Sequence, residues 1–145
     1  MATVSDILVG KGRHLNTISA PATVYDAAIM MNEHKIGSLL VLESSRLIGI
    51  LTERDILVHV VAQQRDASQT LVGDIMTRDV VCCTPQTDVE EARCVMRDRR
   101  IRHLPVINGD GEVIGLISIG DLNAFQAQNQ ELTIYQLQGY IHGTW

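Results

Sequence analysis

The sequence predicts a mixed α/β (α+β) fold built from two tandem β-α-β-β-α units, with a C-terminal helical extension. Three observations predict it. The first is the stretch Ile101–Leu122, which reads strand, tight turn, strand, capped helix. Leu104–Ile107 is a short apolar run. Asn108-Gly109-Asp110-Gly111 is a dense turn signal, because these residue types tolerate the positive φ of tight hairpins. Val113–Ile117 is the return strand, and Ser118-Ile119-Gly120-Asp121 has the S/T-x-x-D form of a helix start. The second observation is that most of this grammar recurs in Ile36–Ile56. Ile101, Leu104 and Val106 each lie 65 residues beyond Ile36, Leu39 and Val41. Gly115 and Asp121 lie 66 beyond Gly49 and Asp55, so the second turn has gained one residue. One insertion across so many matched landmarks marks a tandem duplication, with a period too long for a solenoid unit. The third is composition: 46% hydrophobic with only 3% aromatic residues implies a real but aliphatic core.

The elements follow in order. Thr3–Leu8 is a short amphipathic piece and Gly10–His14 a basic loop. Thr17-Ile18-Ser19 is extended and leads to Pro21. Thr23-x-x-Asp26 opens a helix whose Val24, Ala27, Ala28 and Met31 share a face. It should end near His34-Lys35, with Gly37 just beyond. Leu39–Leu42 and Leu47–Leu51 form a hairpin about Glu43–Arg46. Thr52 caps the next helix, which runs towards Gln64. In the second half Val72–Met76 echoes Val4–Leu8, Val80–Cys83 is extended, Pro85 matches Pro21 and Asp88–Ala92 opens a helix. The units are therefore placed at 1–64 and 72–125, joined by a polar linker at 65–71. An extension at 126–145 holds Tyr135, Tyr140 and Trp145 and, with Phe125, most of the few aromatics. These residues could close the molecule's own core or form a dimer contact.

Charge and cysteines narrow the function classes. A net charge of −5 argues against a general nucleic-acid-binding surface, and so few aromatics make stacking platforms for single strands scarce. No run approaches a membrane span, and the N-terminus carries no signal-peptide pattern. Three cysteines without framework spacing suit reduced thiols and a cytoplasmic setting. His14, His34, His59, His103 and His142 show no metal spacing, so no metal site is expected. No nucleophile–base–orienter set and no phosphate-binding G-x-x-x-x-G-K-S/T loop is present, so no catalytic residue is expected.

A tandem of such units, each ending in Gly-apolar-apolar-Thr/Ser-x-x-Asp, resembles the cystathionine-β-synthase (CBS) domain, and two together resemble a CBS pair, or Bateman module. Gly49-Ile50-Leu51-Thr52-Glu53-Arg54-Asp55 and Gly115-Leu116-Ile117-Ser118-Ile119-Gly120-Asp121 are the two signatures. Arg102-His103-Leu104-Pro105-Val106 is similar to the family's segment before the second strand. The likeness covers about Val4 to Phe125 and no catalytic domain is attached, as in stand-alone pairs. It implies units packed about a pseudo-twofold axis, with clefts that hold AMP, ADP, ATP, S-adenosylmethionine or NAD. It implies signature Asp on ribose hydroxyls, Thr/Ser on ribose or phosphate, and Arg-His on phosphate. On this chain those residues are Thr52, Asp55, Arg102, His103, Ser118 and Asp121. It also implies a homodimer and a regulated protein partner, not yet identified.

Each residue has a structural explanation as well. Thr52/Asp55 and Ser118/Asp121 satisfy the capping-box rule, and capping is compatible with sugar binding by the same carboxylate. Arg97, Arg99, Arg100 and Arg102 suit either the C-terminal end of a helix dipole or phosphate recognition. Gly37 and Ser38 replace Arg102 and His103 in the first unit, so the clefts are not equivalent; Lys35 is the cation that could stand in. Cys82 and Cys83, on the strand expected to face adenine, read as small buried hydrophobes or as redox-sensing thiols without a low-pKa signature. Three readings result: a non-catalytic adenosine-ligand sensor, a structural or dimerisation module with vestigial clefts, and a thiol enzyme.

Overall fold

The computed structural model describes residues 2–11 and 15–129. The order is α1 (Val4–Lys11), β1 (Thr17–Ile18), α2 (Val24–His34), β2 (Ser38–Glu43), β3 (Arg46–Thr52) and α3 (Glu53–Ile56). The α3 helix continues as a π-helical turn, Leu57–Val61, and a 3₁₀ turn, Ala67–Gln69, follows. Then come α4 (Val72–Ile75), α5 (Val89–Arg99), β4 (His103–Ile107), β5 (Val113–Ser118) and a helix α6 over residues 119–129. The extension beyond residue 129 lies outside the described residues.

Local chemistry sets the boundaries. Thr23 is extended and its hydroxyl accepts the Asp26 N–H at 3.1 Å, which starts α2. Asp88 does the same for α5 through the Glu90 N–H at 2.8 Å. Both helices end in a left-handed residue, Lys35 and Arg100, which returns its N–H to the last turn. The β2–β3 hairpin turns through Ser44-Ser45, both at positive φ, as the primed turns require. The longer β4–β5 turn is built on the Asn108 side chain, whose oxygen accepts the N–H groups of Asp110 and Glu112, with Gly111 at φ +82°. Both hairpins shift register at matched positions, between Val41/Leu42 and Val106/Ile107.

The two units differ in their first strand. β1 pairs in parallel with β2, Thr17 with Leu40 and Ile18 with Val41. The expected strand Val80–Cys83 is instead reduced to one bridge, Cys83 with Val106. The reason is Pro105. Leu40 donates its N–H to Asn16 O in the first unit, and the matched position in the second has no N–H to give. The match of Pro85 to Pro21 is also corrected. Pro85 O accepts from Ser5 N, as Ala20 O accepts from Gly73 N, so Pro85 occupies the place of Ala20.

The N-terminal helices are exchanged. Val4 and Ile7 of α1 are buried with Ala92, Leu104, Val106 and Ile117 of the second unit. Val72, Ile75 and Met76 are buried with Val24, Leu39 and Leu51 of the first. The backbone repeats the relation: Thr3 bridges Asp88 and Leu71 bridges Thr23. Each signature glycine is the seat of the visiting helix. A Cβ on Gly115 would lie 2.6 Å from Leu8 Cδ2, and one on Gly49 would lie 2.5 Å from Met76 Sδ. Gly10 and Lys11, read from sequence as the start of a basic loop, are the last turn of α1. The segment between the units is pinned too. Asp66 accepts the Ser68 N–H and hydroxyl, and buried Thr70 donates its hydroxyl to Asp66 O at 2.8 Å.

Candidate functional site

Both signatures fold into complete capping boxes at a strand-to-helix junction. In the first, Thr52 N–H donates to Asp55 Oδ2 at 3.0 Å and Asp55 N–H donates to Thr52 Oγ1 at 3.2 Å. In the second, Ser118 N–H donates to Asp121 Oδ2 at 2.8 Å and Asp121 N–H to Ser118 Oγ at 3.1 Å. A carboxylate has about four acceptor positions, so each Asp keeps capacity beyond its cap. The strand before each junction is edged by the residue that opens the preceding hairpin arm. Ser38 pairs with Thr52, and His103 pairs with Ser118.

The second junction gathers four of the six sequence-predicted residues: Arg102, His103, Ser118 and Asp121. The Arg102 carbonyl accepts the Ile119 N–H at 2.9 Å, which fixes its backbone under the start of α6 while its side chain stays exposed. The matched bond in the first unit is Glu53 N–H to Gly37 O at 3.0 Å. Thr52 and Asp55 thus stand apart, with Gly37 and Ser38 where the other site has a cation and an imidazole. The other arginines end α5 as helix-dipole partners: Arg97 pairs with Asp98 and Arg100 is the left-handed cap.

Two residues missed by the sequence reading touch the signature carboxylates. Lys11 Nζ lies 2.6 Å from Asp121 Oδ2 and donates to Leu116 O at 2.6 Å. Thr77 Oγ1 donates to Asp55, at 3.3 and 3.4 Å from its two oxygens. The Lys11 signal was present as Thr3-x-x-Asp6, whose Thr3 N–H donates to Asp6 Oδ2 at 2.9 Å and starts a helix long enough to reach Lys11.

The electrostatics follow from these contacts. Burial works against the Asp121 charge, but Lys11 and the Ser118 donors outweigh it and hold the carboxyl below its ordinary range. Burial, then the charges of Lys11 and Arg102, push the His103 imidazole below its usual value against the pull of Asp121. Burial pushes the Cys83 thiol up to about 12, helped by Cys82 and Glu91, and raises Cys82 as well. Among the described residues no group of three or more His, Cys, Asp or Glu is placed to hold a metal ion, and no helix is long and apolar enough to cross a membrane. A groove of about 550 Å³ runs between α2 and α3, past Met31, Asn32, Lys35, Glu53 and Leu57. None of the six predicted residues lines it.

The comparisons with known proteins agree with this architecture. The chain is 39% identical over 97% of its length to the mitochondrial CBS domain-containing protein CBSX3 of Arabidopsis thaliana, covering 72% of that protein. It is 42% identical, with a TM-score of 0.84, to a solved protein with CBS domains from Burkholderia ambifaria, covering 89% of this chain and 96% of that one. A CBS domain protein from Pyrobaculum aerophilum, solved in complex with AMP, is 27% identical with a TM-score of 0.74, covering 83% and 89%. The CBS domain family model matches residues 4–62 and again 72–127. The chain belongs to the CBS domain family, as a tandem pair.

Proposed function

We propose that the chain is a non-catalytic regulatory module that binds an adenosine-containing ligand at its two signature junctions and modulates a partner protein. The observation that carries the proposal is the pair of carboxylates, Asp55 and Asp121. Each is fixed by its own helix cap, half-buried, and retains acceptor capacity for a ribose diol. AMP bound to the Pyrobaculum relative supports the ligand class. Thr52 and Ser118 would contact ribose or phosphate, and Arg102 and His103 would serve phosphate at the second junction only. AMP, ADP, ATP, S-adenosylmethionine and NAD are the candidates.

Regulation would act by population shift, with the ligand favouring one arrangement of the units or of two chains. Self-association as a homodimer is supported by apolar side chains left exposed on α2 and the α3 continuation: Tyr25, Ile29, Leu57, Val58 and Val61. The three free thiols fit a reducing, cytoplasmic setting.

A thermal-shift panel with AMP, ADP, ATP, S-adenosylmethionine, NAD and GTP tests the proposal. Ligand at about 100 times its Kd adds ~2.7 kcal/mol, several degrees in Tm for a chain of this size. A shift with an adenosine compound and none with GTP is the expected result. A flat panel under reversible unfolding would overturn it in favour of a structural or dimerisation module with vestigial clefts.

A further inference from the structure

The two signature junctions are closed by different chemistry. At the first, α4 stops after four residues and the chain turns extended, so Thr77 pairs with Ile50 through both backbone bonds. Ile50 O accepts the Thr77 N–H at 2.9 Å, and the Thr77 hydroxyl rests on Asp55 at long distance. At the second, α1 runs eight residues, and no such bridge forms among the described residues. Its final residue, Lys11, reaches over the β5–α6 junction. One ammonium does both jobs there: it bonds Leu116 O, the counterpart of Ile50 O, and it pairs with Asp121 Oδ2.

We propose that Lys11 makes the second junction select anionic nucleotides over neutral nucleosides, by occupying the Asp121 carboxylate until a ligand phosphate draws it away. The proposal rests on the reading of Asp121 as the ribose acceptor. Asp121 Oδ2 already accepts from Ser118 N–H and from Lys11. A ribose diol that spans both carboxylate oxygens brings one hydroxyl to Oδ2, where both lone pairs are engaged, and so competes with the ammonium for that oxygen. The paired Lys11 side chain is 37% exposed, and its charge and that of Arg102 both reach the His103 imidazole, which pairs across the hairpin with Ser118. Without a new anion the displaced ammonium loses a charge-assisted hydrogen bond. A phosphate restores that bond, and the flexible lysine stem lets the ammonium follow it. Adenosine offers no such partner. At the first junction the donor on Asp55 is a neutral hydroxyl, so no comparable charge discrimination arises.

The test is calorimetric titration of adenosine, AMP and ATP into Asp55→Asn protein, so that the second junction is read alone. Lys11→Met and Lys11→Gln are then added separately; the Gln variant can still bond Leu116 O. Both should bind adenosine more tightly and AMP or ATP more weakly, lowering the AMP-to-adenosine affinity ratio by about tenfold or more. Lys11→Arg should keep the ratio, and added salt should narrow it in the lysine protein. Equal changes for all three ligands would show that Lys11 only holds α1 in place. If AMP binding is lost in Asp121→Ala but the ratio ignores Lys11, this inference alone fails. If nothing binds with or without the lysine, the ribose reading fails with it.

Discussion

Leu8 of α1 lies over Gly115 of β5, in the space that a Cβ would take. Met76 stands in the same relation to Gly49, where Thr77 O also approaches to 3.0 Å of a built Cβ. Gly115→Ala meets only the far end of a leucine, which can yield, whereas Gly49→Ala meets a backbone oxygen as well. Gly49→Ala should therefore cost about 1–3 kcal/mol in chemical denaturation, and Gly115→Ala less. Leu8→Ala should offset part of the Gly115→Ala cost in a double-mutant cycle. Strict additivity would mean that the two residues do not share that space.

Asp55→Ala and Asp121→Ala each remove a capping-box acid, which should lower stability by about 1 kcal/mol. If the carboxylates bind ribose, the affinity for adenosine ligands should fall by more than that cap energy explains. Unchanged affinity in both variants would remove the ribose assignment. Arg102→Ala, which removes an exposed side chain, should weaken AMP and ATP far more than adenosine. Equal losses across the three would show that Arg102 does not read phosphate.

Acid should destabilise the second junction in two stages. The folded-state values of His103 and Asp121 are both depressed, so each contributes stability that is complete above its unfolded value. As pH falls below about 6.5, the unfolded chain takes up a proton on His103 that the folded chain refuses. Below about 3.9 the same happens at Asp121. Stability measured by urea titration should decline across both windows. His103→Gln should flatten the upper one while leaving the lower, and an unchanged upper window would place its origin at another group.

Thiol chemistry is not favoured in the folded state. With Cys83 pushed up to about 12 and Cys82 also raised, both are protonated near neutral pH. Iodoacetamide labelling read by mass spectrometry should leave Cys83 unmodified at pH 8 until the protein unfolds. Rapid native-state labelling of Cys83 would revive the reading of a reactive thiol.

The repeat, both hairpins and both capping boxes were legible because they depend on local chemistry: turn residues, alternation, and Thr or Ser three residues ahead of Asp. The lost strand at Val80–Cys83 was also written in the sequence, at Pro105, but only once the pairing partner is known. The helix exchange was not legible. Val4 and Val72 are the same residue type and each is followed by Asp-Ile two and three residues on, and nothing local states which core each one enters. Lys11 was hidden for that reason: its partner, Asp121, belongs to the other half of the chain. The six candidate site residues were proposed from the family's motifs, the two signatures and the Arg-His segment, whereas the charges that tune them come from tertiary placement.

The exchange also sets a waiting time during synthesis. Helix α1 emerges before its binding surface, which α5, β4, β5 and α6 supply and which is complete only about 100 residues further along. At 5–20 residues per second, that surface follows roughly 5–20 s later. Through that interval Val4, Ile7 and Leu8 have no native seat, while the first unit waits for Val72, Ile75 and Met76 to close its own core. The nascent chain therefore completes one half only as it begins the next, and α1 docks after the first unit has closed.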